Sequence, residues 1–577
     1  MGIVRIDRIS STATPEHGRR LAAACDILRT AFPAYSDRIA ALPGLLSAVH
    51  ERDFSLIILT LEDARLRPRA VALVHYHADL AYGWLDILAT ADSARGGGYG
   101  GALYQAVGEH LRELGARGLF MDVPSDDPTK LTDPAILPEN RARLRFYEAF
   151  GARPIIGTDY DGPPPLGQDY DPPYLVFDGL GLDEPLPLED ARAMVRAILI
   201  RRYDWEADHP YVARIAESFV DDPVKLRPNR YQRKAPISAS LTPFTVVAGE
   251  GHRIHHVRER GYVERPARVD AVLAGLAGLP VRRVAPDHVE DSVITRVHDA
   301  DYATYLETIC TSLPERETVY PYVFPVRRPD RKPHALWLRA GYYCIDTFTP
   351  LSRQAFAAAR EAVDVAATGA ARVLAGERLV YALCRPPGHH AERALFGGFC
   401  YFNNSAIAAR ILADRGKVAM LDIDYHHGNG AQSIFWDEPD VLTVSIHGHP
   451  NEAYPYFSGF DDETGEGAGA GFNLNLPLSG AVNDDAYLAT LGVALERLRA
   501  HAPWVIVLGL GFDIMKGDPT GDFQISPEGM GRIGEAVASL GVPVLVVQEG
   551  GYTLPNLRRG ARALFAALAT RRESVAP

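Results

Sequence analysis

A short run of acidic and histidine residues has the spacing needed to place several side chains around one metal ion. The run, residues 422–430, reads Asp-Ile-Asp-Tyr-His-His-Gly-Asn-Gly and follows the apolar residues 418–421 of a predicted strand. In an extended chain alternate side chains share a face, so Asp422, Asp424 and His426 would project together. Carboxylates and an imidazole suit zinc, with a position left open for water and a substrate carbonyl. We therefore predict that Asp424 and His426 are ligands of a hydrolytic metal centre.

A third ligand must come from another part of the chain. The apolar run 505–512 ends in a single carboxylate, Asp513. Such a run is typical of a buried parallel strand, and catalytic groups of α/β folds gather at the carboxyl ends of these strands. A purely structural interpretation is also open, with residues 424–426 as a polar turn and Asp513 as a helix cap. We predict that Asp513 completes the metal site.

Two further motifs place reactive side chains directly after apolar, strand-like runs. Arg-Pro-Pro-Gly-His-His-Ala at 385–391 contains the adjacent histidines His389 and His390, and Glu-Gly-Gly-Tyr at 549–552 ends in Tyr552. Histidine moves protons near neutral pH. A tyrosine on a flexible glycine turn can donate a hydrogen bond to a developing oxyanion. Beside a metal, these groups indicate metal-assisted hydrolysis.

Six motifs, in this order along the chain, resemble the zinc-dependent histone deacetylase superfamily, which has the arginase-deacetylase fold. They are RPPGHHA at Arg385, GFCYFNN at Gly398, DIDYHHGNG at Asp422, TVSIHG at Thr443, GFD at Gly511 and EGGY at Glu549. The resemblance covers about residues 241–577. Through residues 324–350 and 447–471, the chain is also similar to the bacterial acetylpolyamine amidohydrolases.

The resemblance implies a set of metal ligands and a second ion. Asp424, His426 and Asp513 match the zinc ligands of the family. Ser445, with Asp422 and Asp424, resembles part of a structural monovalent-cation site, which implies bound K⁺. Iron could replace zinc in such a donor set.

The resemblance also implies the roles of the groups beside the metal. His390 would be the general base and later the general acid, with His389 as its electrostatic partner. Asp422 would support His389, and Asn429 would orient His390. Many relatives have aspartate in place of Asn429, and an amide stabilises an imidazolium less well, so we expect His390 to be the less basic histidine. Tyr552 would donate its hydroxyl to the oxyanion.

A tunnel for an acyl-amine is a further implication of the resemblance. Phe399, preceded by Gly398, and Phe457 match the aromatic pair that walls it, with Tyr454 a further candidate. Residues 319–333 resemble an insertion loop that narrows the entrance and helps to form a homodimer. This favours small acetylated polyamines as substrates, whereas acetyl-lysine in a protein, which needs an open rim, is the alternative.

The amino-terminal part of the chain contains a glycine-rich loop between a predicted strand, 85–90, and a predicted helix, 102–114. The loop residues are Arg95, Gly96, Gly97, Gly98, Tyr99, Gly100 and Gly101. Backbone N–H groups at a helix start favour a phosphate. The loop resembles the acetyl-CoA pyrophosphate loop of GNAT N-acetyltransferases, and residues 140–152 resemble a later helix of that family.

The GNAT resemblance implies acetyl-CoA as a cofactor and names candidate catalytic residues. Tyr147 would protonate the coenzyme-A thiolate, and Asp86 is a candidate base for the amine. Asn140 contacts the coenzyme or caps the helix that follows it. A domain that binds acetyl-CoA without transferring the acetyl group, or that only braces the deacetylase, is the alternative.

Length and pattern together predict the domain organisation. A chain of 577 residues, 47% of them hydrophobic, suits two or three domains. We predict a GNAT-like α/β domain over 1–181, a helical connector over 182–240, and a deacetylase-like domain over 241–577. Helices and apolar strands alternate in the last of these, which predicts an α/β fold with a parallel sheet flanked by helices.

Composition restricts the partners and the compartment. The net charge of −13 and the pI near 5.8 argue against nucleic acid. Five scattered cysteines without a Cys-x-x-Cys pair fit a reducing compartment, and neither a signal peptide nor a membrane-length apolar run is apparent, so we predict a cytoplasmic protein. An arginase-like enzyme with two manganese ions shares the fold, but His389, His390 and Tyr552 argue against it.

Overall fold

The structure is a computed structural model that describes residues 5–9, 15–47, 53–63, 67–92, 98–160, 171–182, 184–231, 241–257, 262–315 and 317–570. The chain forms two compact units, Gly2–Pro236 and Ile237–Pro577. Residues 182–236, most of the predicted connector, fall within the amino-terminal unit. In the described parts of the chain, no helix has the length and apolar character needed to span a membrane.

In the described residues of the amino-terminal unit, one mixed sheet is combined with six α-helices. Its strands are β1 (Arg5–Ile9), β2 (Ser55–Glu62), β3 (Pro68–His77), β4 (Tyr82–Thr90), β5 (Gly118–Val123), β6 (Arg153–Pro154) and β7 (Tyr174–Asp178). Its helices are α1 (Pro15–Ala31), α2 (Ser36–Ser47), α3 (Tyr99–Glu113), α4 (Leu137–Phe150), α5 (Leu188–Ala197) and α6 (Pro210–Glu217). A π-helical turn, Ile198–Arg202, continues α5.

The strand order of this sheet is β1-β2-β3-β4-β5-β7-β6. Only β4 and β5 run parallel, joined by α3, and every other described neighbouring pair is antiparallel. The parallel pairing extends from Tyr82↔Gly118 to Leu85↔Met121, although both strands continue beyond it. The strands therefore separate at their carboxyl ends, where backbone N–H and C=O groups lack partners from the neighbouring strand.

Helices α5 and α6 belong to the core of the amino-terminal unit. Met194 of α5 and Ile215 of α6 are fully buried in one apolar cluster with Trp84 and Phe120 of the sheet. Apolar residues at helical spacing predict these helices from the sequence, but their packing partner is a long-range contact that periodicity does not reveal.

The carboxy-terminal unit alternates strands and helices. Its strands are β8 (Phe244–Val247), β9 (Val281–Val284), β10 (Thr318–Val319), β11 (Leu351–Ser352), β12 (Leu379–Ala382), β13 (Val418–Asp422), β14 (Val441–Gly448), β15 (Asn473–Leu478), β16 (Val505–Leu510) and β17 (Val544–Gln548). Its helices are α7 (Ala267–Leu276), α8 (Ser292–Thr295), α9 (Ala300–Ser312), α10 (Leu336–Arg339), α11 (Ala355–Leu374), α12 (Asn404–Ala413), α13 (Asn429–Ile434), α14 (Asp484–His501), α15 (Pro527–Ala538) and α16 (Leu554–Leu568).

Eight of these strands form a parallel sheet in the order β15-β14-β13-β16-β17-β12-β8-β9. Successive residues of β13 face opposite sides: Leu421 packs in a cluster with α7, α14, α15 and α16, and Met420 in a cluster with α9, α11 and α12. Burial on both faces explains why the strands read as continuous apolar runs. The predicted parallel α/β architecture of this region is confirmed.

Candidate metal centre and catalytic residues

The metal-binding motif begins where β13 ends. Asp422 is the last residue of the strand and pairs with Gly509 of β16. The chain then bends, because Asp422 Oδ1 accepts a hydrogen bond from the backbone N–H of Asp424 and Asp424 Oδ1 accepts one from that of His426, both at 2.9 Å. The predicted extended arrangement of these residues is therefore wrong beyond Asp422. Short-range carboxylate-to-backbone bonds compete with the strand conformation.

The bend brings together the three predicted metal ligands. Donor atoms of Asp424, His426 and Asp513 all lie within 4.8 Å of one another. His426 Nδ1 is 3.2 Å from Asp424 Oδ1 and 3.2 Å from Asp513 Oδ2. In a tetrahedral zinc site with bonds of about 2.0 Å, neighbouring ligand atoms are roughly 3.3 Å apart. The donor set and its spacing fit zinc.

Two buried carboxylates at the predicted metal site favour a bound cation. Asp424 and Asp513 are completely buried, and Asp513 Oδ2 accepts no hydrogen bond from the described residues. Burial and the charge of Asp424 raise the pKa of Asp513 to about 7. Gly550 donates its N–H to Asp424 Oδ2 at 2.7 Å, and a Cβ at Gly550 would collide with both carboxylates. A divalent ion would relieve the repulsion between these acidic groups.

The two adjacent histidines have different partners. His389 Nδ1 is 2.9 Å from Asp422 Oδ2, whereas His390 Nδ1 is 2.8 Å from Asn429 Oδ1. Burial opposes protonation of His389, but the carboxylates of Asp424 and Asp422 outweigh it and raise its pKa to about 10. Burial and the neighbouring His389 hold the pKa of His390 well below its usual range. His390 is thus the less basic of the pair.

Tyr552 is buried on the glycine turn after β17. Asp518 Oδ2 accepts the backbone N–H of Tyr552 at 2.7 Å, and Arg268 donates to the carbonyls of Glu549 and Gly551. The turn is therefore held from both sides. Burial raises the pKa of the Tyr552 hydroxyl well above its usual range, so the group remains a proton donor.

Aromatic side chains lie beside Tyr552 and His390. The ring of Phe399 is 5.8 Å from that of Tyr552, and the ring of Tyr454 is 4.8 Å from that of His390. Phe457 is 54% exposed. The structure thus brings Tyr454 next to the predicted base, and the assignment of Phe457 to the wall of the passage stays a prediction.

One buried carboxylate, Asp346, connects these aromatic residues. Its Oδ2 accepts hydrogen bonds from the backbone N–H of Gly398 at 2.6 Å, the Thr349 hydroxyl at 2.9 Å and the Tyr454 hydroxyl at 3.1 Å. Thr349 Oγ1 in turn accepts the N–H of Phe399 at 3.1 Å. Asp346 therefore links Phe399 and Tyr454, both of which are predicted to wall the acyl-amine tunnel.

Ser445, the predicted contributor to a monovalent-cation site, lies on β14 opposite Asp422. Its Oγ is 2.8 Å from His447 Nδ1 and 3.4 Å from His427 Nδ1. The monovalent-cation site stays a prediction.

The predicted coenzyme loop is described in part. Arg95, Gly96 and Gly97 lie outside the described residues, whereas Gly98, with φ +73°, immediately precedes α3. Tyr99, Gly100 and Gly101 form the first turn of that helix.

The other predicted residues of the amino-terminal unit lie on β4 and α4. Asn140 donates from Nδ2 to the carbonyl of Ser125 at 2.9 Å. Burial raises the pKa of Tyr147 to about 12. Asp86 sits at a bulge of β4, and both its oxygens are bound by guanidinium groups, those of Arg38 at 2.6 Å and Arg202 at 2.7 Å. Asp86 would have to release one of them before acting as a base.

Several residues that hold the site are missed by the sequence analysis. The missed residues are Glu264, Arg268, Asp346, Glu392 and Asp518. Each is a charged residue that packs among buried groups, and none belongs to a motif that marks its role. For Asp518 alone, the sequence contains a pattern that could have predicted its turn, the Asp-x-Thr of an Asx turn. In the structure its Oδ1 accepts the backbone N–H of Thr520 at 3.1 Å.

Comparisons with known proteins concern the carboxy-terminal unit. The histone deacetylase domain family matches residues 262–568. Acetylpolyamine amidohydrolase 2 of Pseudomonas aeruginosa is 37% identical over 325 residues, which is 54% of this chain and 94% of that protein. Acetylpolyamine amidohydrolase of Burkholderia pseudomallei is 40% identical over 327 residues, 54% of this chain and 95% of that protein. Histone deacetylase 15 of Arabidopsis thaliana is 31% identical over 346 residues, 57% of this chain and 58% of that protein.

The carboxy-terminal unit is also similar to solved structures of an acetylpolyamine aminohydrolase and of the HDA15 HD domain. The crystal structure of an acetylpolyamine aminohydrolase from Burkholderia pseudomallei superposes with a TM-score of 0.54 and 36% identity. The similarity covers 57% of this chain and 100% of that one. The residues matched by the histone deacetylase domain family, 262–568, include the strands that precede Asp424, His426 and Asp513.

Proposed function

This chain belongs to the histone deacetylase family, and on that premise we propose that its carboxy-terminal unit is a zinc-dependent deacetylase of acetylated polyamines. The observation that carries the proposal is the convergence of Asp424, His426 and Asp513 beside two histidines with opposite pKa shifts. Adjacent titratable groups whose pKa values are pushed apart are a mark of acid–base catalysis.

Asp424, His426 and Asp513 would hold the zinc ion. When bound, zinc supplies Lewis-acid polarisation of the amide carbonyl and makes water more acidic. His390, neutral near pH 7, would take a proton from the attacking water and later pass it to the leaving amine. His389, protonated beside Asp422, would stabilise the negative charge that develops.

Tyr552 would donate its hydroxyl to the oxyanion formed from the acetyl carbonyl. Its raised pKa keeps the proton in place, and the fixed turn leaves little reorganisation for the reaction step. Phe399 and Tyr454 would surround the aliphatic chain of the substrate and exclude bulk water.

The relatives support a polyamine in preference to a protein substrate. Two curated proteins with 37% and 40% identity are named acetylpolyamine amidohydrolases. In this chain the segment 320–337, which follows β10, exposes large apolar side chains, including Tyr322 at 68% and Trp337 at 50%. Such a patch on one copy favours burial by another. We propose that a homodimer forms there and narrows the entrance.

The direct test is acetate release from N-acetylputrescine and from an acetyl-lysine peptide by the zinc-loaded full chain. We expect turnover of the polyamine to exceed that of the peptide. Tyr552→Phe should lower kcat by roughly 100-fold or more, since it removes one oxyanion donor. Asp513→Asn should abolish both zinc retention and turnover.

Two matched variants serve as controls. Tyr487→Phe removes a buried hydroxyl that has no hydrogen bond to any described residue, and Asp485→Asn changes an exposed carboxylate on α14. Both should retain activity. A preference for the peptide would favour the protein-deacetylase alternative, and full activity of Tyr552→Phe would contradict the assigned oxyanion donor.

For the amino-terminal unit we propose an acetyl-CoA-dependent N-acetyltransferase of the GNAT type. Two observations support it: α3 begins directly after the left-handed Gly98, and β4 separates from β5 just before that helix. Unpaired backbone groups at such a separation suit the amides of a pantetheine arm. Tyr147, with its raised pKa, would hold the proton for the departing thiolate.

Coenzyme binding and acetyl transfer can be measured separately on the full chain. Calorimetry should detect binding of CoA, and Tyr147→Phe should slow acetyl transfer to putrescine by roughly 100-fold without loss of binding. Tyr211→Phe on α6 is the control. Binding without transfer in the unsubstituted chain would favour an acetyl-CoA sensor, and absence of binding would contradict the GNAT proposal.

A further inference from the structure

We infer that Glu392 is a positioning residue that sets the polarity of the Asn429 amide and, through it, the tautomer of His390. The inference rests on the proposed deacetylase function. Asn429 lies between the other two residues: its Oδ1 is 2.8 Å from His390 Nδ1, and its Nδ2 is 2.8 Å from Glu392 Oε1. Glu392 lies two residues beyond His390 in the chain and is distinct from the metal ligands.

The amide of Asn429 has two possible orientations of nearly equal shape, in which oxygen and NH₂ exchange places. A carboxylate accepts hydrogen bonds and cannot donate them. The atom of Asn429 that faces Glu392 must therefore be the NH₂ group. A second, longer contact has the same polarity, since Nδ2 also donates to the backbone carbonyl of His390 at 3.3 Å.

This orientation determines which nitrogen of His390 carries the proton. With the Asn429 carbonyl facing it, Nδ1 must be protonated in order to donate. A neutral imidazole then has its lone pair on Nε2. That nitrogen is the one available to take a proton from water. If the amide were reversed, its NH₂ would face Nδ1 and favour the tautomer whose Nε2 already carries a proton.

Glu392 is itself held in place on several sides. Its backbone carbonyl lies 2.9 Å from His298 Nδ1, and its backbone N–H donates to the carbonyl of Leu395 at 2.9 Å. Burial raises the pKa of Glu392, whereas hydrogen bonds donated by Asn429 and Ser433 lower it. Both of these side chains therefore use Glu392 as an acceptor, which is the role the inference requires.

A double-mutant cycle separates amide polarity from simple packing. Asn429→Asp places a second acceptor 2.8 Å from the carboxylate of Glu392, and the repulsion should lower kcat/KM by about 10-fold or more. Glu392→Gln alone should lower kcat/KM by less than about 3-fold, since glutamine can turn its carbonyl towards Asn429.

The effect of Glu392→Gln on kcat/KM should change from a decrease to an increase when Asn429→Asp is also present. In the Asn429→Asp background, Glu392→Gln supplies an NH₂ donor to the new carboxylate, so kcat/KM should rise by at least about 5-fold. If Glu392 only packs against its neighbours, Glu392→Gln will change kcat/KM by the same factor in both backgrounds, and the inference is overturned. Glu496→Gln, on the exposed face of α14, is the control.

A neutron structure of the zinc-loaded full chain provides a readout that does not depend on activity. We expect deuterium on His390 Nδ1 and on the Asn429 nitrogen that faces Glu392, with His390 Nε2 bare. An amide oxygen facing Glu392, or deuterium on Nε2 alone, would overturn the inference. Failure of the proposed deacetylase function would have a different result. No acetylated amine would be turned over, while the deuterium positions would stay as expected.

Discussion

Arg268 lies across the ring of Tyr552, with its guanidinium carbon 4.8 Å from the ring centroid. The same guanidinium donates to the backbone carbonyls of Gly551 and Glu549 and forms an ion pair with Glu264 at 2.8 Å. One buried side chain therefore holds both the ring of the predicted oxyanion donor and the turn that carries it. The direction of the Tyr552 hydroxyl depends on a residue from α7, far away in the sequence.

We predict that Arg268→Lys lowers kcat for acetylputrescine by roughly 10- to 100-fold, the range typical of residues that support a catalytic group. Lysine keeps the charge but cannot donate in a fork to two carbonyls. The measurement is steady-state kinetics, with circular dichroism to establish folding. Arg532→Lys, an exposed residue paired with Asp485, is the control. A folded Arg268→Lys enzyme with unchanged kcat would contradict the positioning role.

The aromatic residues near His390 give a second prediction. Tyr454→Ala should raise KM by about 10-fold or more, equivalent to roughly 1.4 kcal/mol, because it removes the ring that packs at 4.8 Å against His390. Phe457→Ala should change KM by less than about 3-fold, since this side chain is 54% exposed. KM values of the two variants are compared side by side. A larger effect of Phe457→Ala than of Tyr454→Ala would contradict this ranking and support Phe457 as the wall residue predicted from the sequence.

Sequence patterns predict the sheet of the carboxy-terminal unit well, because its strands are buried on both faces. The predicted strand before the metal motif, with apolar residues 418–421, lies within β13, Val418–Asp422. Grouping of Asp424, His426 and Asp513 follows from topology, since neighbouring parallel strands bring their carboxyl ends to one edge.

Other features depend on contacts that no local pattern encodes. The bend after Asp422 arises from side-chain oxygens that accept backbone N–H groups, which a strict strand alternation does not anticipate. The contact of Tyr454 with His390 depends on the path of a loop. Asp346 reaches both Gly398 and Tyr454, which are 56 residues apart in the printed sequence. Periodicity gives no information about such contacts.

Asp346 therefore provides a third prediction. Asp346→Asn replaces one acceptor oxygen with a donor NH₂ group, so the three donors to Oδ2 and the backbone N–H groups of Phe348 and Thr349, which donate to Oδ1, can no longer all be satisfied. We expect KM for acetylputrescine to rise by about 10-fold, with a smaller change in kcat, because the passage walls shift while the metal ligands stay. Asp461→Asn, in an exposed turn, is the control. An effect on kcat alone would contradict this role.

The last prediction concerns the pH dependence of stability through His298, which lies away from the metal ligands. His298 Nε2 accepts the backbone N–H of Asn403 at 2.9 Å, and its Nδ1 lies 2.9 Å from the carbonyl of Glu392. Burial lowers the pKa of His298 from 6.5 to about 4. The unfolded chain therefore binds a proton at higher pH than the folded chain does, and stability falls as the pH drops from about 6.5 towards 4.

A lowering of this size corresponds to about 3 kcal/mol of stability lost across that window. His298→Gln removes the titrating group and keeps one acceptor, so its Tm should depend less on pH between 6.5 and 4 than that of the unsubstituted chain. Thermal unfolding at a series of pH values measures the difference. His288→Gln, an exposed histidine, should follow the unsubstituted curve. Parallel curves for His298→Gln and the unsubstituted chain would show that His298 titrates alike in both states, which its burial between two backbone partners argues against.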